Sequence, residues 1–215
     1  METNDIRSLL KNKGVLAVLE IENIEDAAPV CEALIDGGIS GIELALRTAA
    51  AEPSIKIIKE KVPQMIIGAG TLIQKGQARR IKYLGADFAL SPGYNPAIAL
   101  EAKEAQLPFV PGIATPSELE AAVFAGIRVL KFFPSQALGG VSYLKSMNYP
   151  YDYLKLQYIP LGGINSENLG YYADMPQVLA VGGTWIAPKL LIKNKAWDEI
   201  TFLARRAIKT WEEYR

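Results

Sequence analysis

Arg128-Val129-Leu130-Lys131-Phe132-Phe133-Pro134-Ser135 reads as a β-strand, apolar at nearly every position, with a lysine at its centre. Side chains alternate along a strand, so Val129, Lys131 and Phe133 share one face and Leu130 and Phe132 the other. A strand apolar on both faces suits a parallel sheet wrapped by helices. The lysine sharpens that reading, because an ammonium placed among helix-packing side chains costs several kcal/mol. Lys131 is therefore expected to face the interior of a closed sheet.

Outward from this strand the chain repeats one pattern. Short apolar runs lie at 15–19, 39–46, 65–70, 87–91, 109–114, 129–134, 156–161 and 178–182. Helical periodicity marks 25–36, 53–61, 75–84, 95–105, 116–125, 141–147, 166–173 and 197–212, with a short helix near 3–11 ahead of them. Gly37-Gly38, Gly85, Gly126 and Gly140 punctuate the helix ends, while Ser54, Ser117 and Ser166 lie near helix starts. Strands recurring about every 20–25 residues, each followed by a helix, demand a parallel sheet with right-handed crossovers. Eight such units predict an α/β protein: a single (β/α)8 TIM barrel with an extra N-terminal helix, one domain over residues 1–215. A doubly wound sheet is the alternative, but no Gly-x-Gly-x-x-Gly follows the first strand.

Composition narrows the chemistry. The 215 residues are 50% hydrophobic and 21% charged, which suits a globular core. Lys plus Arg and Asp plus Glu number 23 each, so no global field recruits nucleic acid or an anionic membrane. No apolar run reaches the ~18 residues of a membrane span, and the opening Met-Glu-Thr-Asn-Asp-Ile-Arg is no secretory signal. A cytoplasmic location is expected. Cys31 stands alone, which excludes a disulfide framework within the chain and suits a buried, inert thiol. Histidine is absent, so histidine triads and histidine acid–base chemistry are excluded.

Barrel sites gather at the C-terminal ends of the strands. In the second strand Ile39, Gly41, Glu43, Ala45 and Arg47 share one face, and Ile42, Leu44 and Leu46 form an aliphatic face that belongs against helices. Glu43 and Arg47 are thus expected to point inward, converging with Lys131 on one mouth. Such a group can be an ion network that only holds the barrel together. It can also be a site in which a desolvated lysine amine attacks a carbonyl, a carboxylate moves protons and a guanidinium grips a carboxylate. Gly68-Ala69-Gly70-Thr71, Leu161-Gly162-Gly163 and Val181-Gly182-Gly183-Thr184 close three strands and read as anion seats. Glycine pairs after the last two barrel strands are where phosphate sites recur.

These segments together resemble the 2-keto-3-deoxy-6-phosphogluconate (KDPG) and 4-hydroxy-2-oxoglutarate (KHG) aldolases. The resemblance runs over almost the whole chain, through Ile42-Glu43-Leu44-Ala45-Leu46-Arg47-Thr48, Ile67-Gly68-Ala69-Gly70-Thr71, Ala89-Leu90-Ser91-Pro92-Gly93, Pro111-Gly112-Ile113-Ala114-Thr115, Lys131-Phe132-Phe133-Pro134, Gly162-Gly163-Ile164 and Gly182-Gly183-Thr184-Trp185. It implies a lyase: a class I, metal-free and cofactor-free aldolase with a keto-acid substrate, usually a homotrimer. It also implies that Lys131 is the Schiff-base lysine and Glu43 the acid/base, with Arg47 and Thr71 on the substrate carboxylate. By the same resemblance Pro92 and Phe133 wall the pyruvate pocket, and Gly162, Gly163, Gly182, Gly183 and Thr184 take a distal phosphate.

The chain departs from the family pattern at Pro160-Leu161-Gly162-Gly163, where Pro-Thr-Gly-Gly is usual, so Leu161 puts an apolar pocket wall in place of a hydroxyl. Ala45 stands where some members have threonine, and the aromatic segment 148–153 reads as a plain turn, with a substrate or subunit contact through its three tyrosines as the alternative. The substrate is expected to be a 2-keto-4-hydroxy acid, with a phosphogalactonate-type acceptor as a variant. A phosphosugar isomerase using Glu43 alone and a non-catalytic sugar-acid sensor are the competing readings.

Overall fold

In the computed structural model, residues 4–215 are described. A short helix α1 (Asn4–Leu9) precedes β1 (Gly14–Leu19), α2 (Ala27–Asp36), β2 (Gly41–Ala45), α3 (Ala51–Lys61), β3 (Ile66–Gly70), α4 (Gln77–Leu84) and β4 (Phe88–Leu90). Then come α5 (Pro96–Glu104), β5 (Phe109–Val110), β6 (Gly112–Ile113), α6 (Pro116–Phe124), β7 (Val129–Phe132), α7 (Gly140–Asn148) and β8 (Gln157–Pro160). The chain ends with α8 (Leu169–Ala173), β9 (Ala180–Gly183), α9 (Lys189–Lys193) and α10 (Trp197–Glu213). Of the helix expected near 3–11, Thr3 lies outside the described residues.

All strand pairings are parallel, in the orders β5-β4-β3-β2-β1-β9 and β6-β7-β8. The two sheets are one barrel. β5 and β6 are halves of the expected fifth strand, parted by Pro111, which has no amide to give the ladder. Its carbonyl still accepts from the Lys131 amide at 2.9 Å. On the other side Tyr158 bridges Val178 and Leu161 bridges Gly182, closing β8 against β9.

Period-two alternation sorts the core into two layers. Val15, Ala17, Leu19, Ile42, Leu44, Leu130 and Phe132 point outward and pack with the helices. Leu16, Val18, Phe88, Leu90, Val110, Val129, Ile159 and Leu161 fill the barrel, whose lower end is plugged by Ile6 and by Leu10 just past α1. The last helix buries Ile200, Ala204, Ala207 and Trp211, the helical spacing anticipated from the sequence. Cys31 is fully buried on α2, and burial pushes its thiol well above the ordinary range, as an inert thiol requires.

Three local readings are corrected. α8 begins at Leu169, not 166, because Asn165 and Asn168 hold the preceding turn through their own side chains. Segment 149–154 is a 3-10 helix in place of a plain turn, with Tyr151 donating to Glu120 at 2.6 Å. Helix α9 was not anticipated. No helix among the described residues is long and apolar enough to cross a membrane.

Candidate active site

Lys131 sits in β7 between Gly112 of β6 and Ile159 of β8. Its neighbours of the same parity, Val129 and Ile159 across the ladder, line the barrel interior, so the ammonium points inward. Glu43 reaches it from β2 on the far side: Lys131 Nζ donates to Oε1 at 2.9 Å and to Oε2 at 3.2 Å. Their side chains are only 5% and 4% exposed. The Phe133 ring lies 5.0 Å from the same nitrogen, a cation–π contact. Both oxygens within reach of one nitrogen make a short proton path, so transfer to the carboxylate leaves a neutral amine without net charge change in the pocket.

The site depends on missing side chains. A Cβ on Gly70, at the end of β3, would overlap the Glu43 carboxyl, so this glycine makes the room in which Glu43 lies. The next residue, Thr71, has φ +65°, a left-handed conformation strained for a β-branched side chain and typical of functional turns. At the end of β4, the Ser91 hydroxyl donates to the Gly93 carbonyl at 2.6 Å and fixes the turn that carries Pro92. The Pro92 carbonyl stands against Gly112, beside Lys131 in the ladder.

Arg47 is not where strand parity puts it. β2 ends at Ala45, so alternation no longer governs, and Arg47 stands on the rim with its side chain 52% exposed. It pairs with Glu20 at 3.2 Å and does not neighbour Lys131 in an ion pair. Gly182 is also corrected: it is inside β9, not in a turn, and the Leu161 side chain occupies the space its Cβ would need. Gly162 and Gly163 do form a turn, with φ of +92° and +78°, conformations that favour glycine. Gly183 ends β9, and Thr184 is exposed just after it, so the two strand ends lie side by side.

Sequence reasoning missed a rim network. Lys189 bridges Glu20 at 3.1 Å and Glu22 at 2.7 Å, while Glu20 also holds Arg47. The Thr48 hydroxyl donates to the Ile21 carbonyl, tying the loops after β1 and β2 together. Hydrogen bonds to Glu22 and then Glu20 hold the Lys189 ammonium above its ordinary range, and the bond from Lys189 holds the Glu22 carboxyl below its own. The only sequence signal was position: Glu20 and Glu22 directly follow the first strand.

The family model described as "Aldolase: KDPG and KHG aldolase" matches residues 6–203. The chain belongs to this family. It is 39% identical over 194 residues to the 2-dehydro-3-deoxy-phosphogluconate aldolase of Dickeya dadantii, covering 90% of each. To the KHG/KDPG aldolase of Escherichia coli K12 it is 36% identical, covering 94% of both chains. A solved KDPG aldolase from Legionella pneumophila, with pyruvate captured at low pH as a covalent carbinolamine intermediate, superposes with a TM-score of 0.88. That structure is 37% identical and covers 93% of this chain and 96% of its own. Family membership thus joins a fold whose buried lysine and carboxylate already stand in hydrogen-bond contact.

Proposed function

We propose that this protein is a class I aldolase cleaving a 2-keto-4-hydroxy acid, with Lys131 as the nucleophile and Glu43 as the proton relay. The observation that carries the reading is the Lys131–Glu43 contact, 2.9 Å long and closed to solvent on nearly all sides, inside the barrel of a KDPG/KHG aldolase family member. Glu43 takes the ammonium proton, and the free amine adds to the C2 carbonyl to give a carbinolamine. Loss of water, its oxygen protonated by Glu43, leaves a protonated imine. Glu43 then removes the C4 hydroxyl proton, the C3–C4 bond breaks, and the electron pair settles into the imine as an enamine while the aldehyde departs. Protonation at C3 and hydrolysis of the imine release pyruvate and the lysine.

Arg47 and Thr71 are placed at the keto-acid carboxylate, and Pro92, Phe133 and Leu161 at the pocket wall. Gly162, Gly163, Gly183 and Thr184 are placed at a distal phosphate. The acceptor is glyceraldehyde 3-phosphate for the phosphogluconate substrate and glyoxylate for 4-hydroxy-2-oxoglutarate; the names of the relatives support both. The reading includes a single-domain cytoplasmic enzyme that assembles as a homotrimer. Leu100 and the 96%-exposed Phe124 offer apolar surface that another copy would cover. Borohydride with pyruvate should add a reduced pyruvyl mass to the Lys131 peptide. Failure to trap it, or full activity in Lys131→Met, ends the mechanism.

A further inference from the structure

Three loops from adjacent barrel strands meet at the mouth: Glu20 follows β1, Arg47 follows β2 and Lys189 follows β9. The Glu20 carboxylate is gripped from both sides, by Arg47 at 3.2 Å and Lys189 at 3.1 Å. Two cations on one carboxylate is the geometry of an anion seat. The chain's own side chain fills it.

Mechanical need does not explain the arrangement. Thr48 already ties the β1 and β2 loops through Ile21, and exposed ion pairs add little stability. What the cations contribute is charge at the face where barrel ligands bind. Below them the wall is apolar. Leu161 lies over Gly182 with Val18 nearby, so beside the Gly162-Gly163 and Gly183-Thr184 turns this part of the wall offers a distal anion no charged partner. Glu22, 2.7 Å from Lys189, keeps the ammonium partnered when Glu20 swings away. The four side chains carry no net charge; a carboxylate taking the place of Glu20 preserves that balance, and a phosphate adds up to about one further negative charge.

We propose that Lys189 is a specificity-determining residue that binds the distal anionic group of the substrate, carboxylate or phosphate, and that Glu20 is the internal anion this group displaces from Lys189, Arg47 keeping its place at the keto-acid carboxylate. The proposal rests on the aldolase reading above. The test runs the reaction in the condensation direction, with pyruvate and one of three acceptors: glyoxylate, glyceraldehyde 3-phosphate or uncharged glyceraldehyde. The readout is the kcat/KM of each anionic acceptor relative to glyceraldehyde. Lys189→Met should lower that ratio about tenfold, the worth of one charge-assisted contact. Glu20→Gln, which removes the competitor, should raise it.

The acceptor whose ratio moves, glyoxylate or the phosphate, names the anion. A ratio within about twofold of wild type for both acceptors in Lys189→Met overturns the proposal. So does a fall in both variants, the behaviour of a purely structural latch. Borohydride trapping of pyruvate on the wild-type protein separates the two failures. Without trapping, the aldolase reading falls; with trapping and unmoved ratios, only the role of Lys189 does.

Discussion

Two ion clusters stand one above the other in this barrel, and they obey different physics. Lys131 and Glu43 are almost wholly shielded from solvent, each the other's charge partner. Glu20, Glu22, Arg47 and Lys189 make three ion pairs, but Arg47 and Lys189 are half exposed at 52% and 51%. In the interior, attraction between the charges is set against a large desolvation cost, so the pair contributes little net stability yet is expensive to break. At the rim, water and salt screen every contact, and each can be exchanged cheaply for another. The inner pair is suited to fixed covalent chemistry and the outer network to choosing among ligands.

The largest effect separating the regions is expected from a double-mutant cycle on the inner pair. Glu43→Leu or Lys131→Met alone strands a buried charge and should cost about 3–5 kcal/mol in urea unfolding, while the double variant recovers most of it. Each single variant should also lose about 10³-fold or more in kcat for pyruvate release. Equal stabilities for single and double variants would show that solvent reaches the pair, and the contrast with the rim would collapse.

Gly70→Ala should come next. Its Cβ pushes the Glu43 carboxyl out of place, and a shift of about 1 Å costs roughly 10²-fold in rate. Overpacking should add about 1–3 kcal/mol of destabilisation. An unchanged kcat would mean that Glu43 relays protons from a position other than the one beside Lys131.

The smallest effect belongs to the rim and to its pH dependence. The Glu22 carboxyl, held below its ordinary 4.5, adds stability that is full above that pH and fades as acid takes it through the lowered value. Lys189, held above 10.5, adds stability that is full below that pH and fades as base takes it through the raised one. Wild type should therefore melt slightly above Glu22→Gln at pH 7, with the gap closing as acid takes the pH below 4.5 and through the lowered value, and again in strong base. A pH-independent gap would assign the effect to packing.

The barrel was legible because short apolar strands recur with helices between them, and because the aliphatic face of Ile42 and Leu44 left Glu43 on the opposite one. Alternation placed Glu43 inward, and the cost of burying an ammonium among helix-packing side chains placed Lys131 beside it. It failed at Arg47 because parity ends with the strand, at Ala45, and a loop sets its own direction. Gly182 misled for a related reason: a glycine that admits Leu161 looks in sequence like a glycine that turns. Lys189 was invisible because α9 spans only Lys189–Lys193, too short to show periodicity, and its partners lie far away in the chain.

The plug formed by Ile6 and Leu10 has a kinetic meaning. With the barrel filled by side chains and its lower end stoppered, the site has one doorway, and everything entering or leaving must queue there. The aldehyde, held nearer the rim, has to depart before water can hydrolyse the imine below it. Release is therefore compulsorily ordered, pyruvate last, and pyruvate should inhibit cleavage competitively while the aldehyde inhibits it noncompetitively.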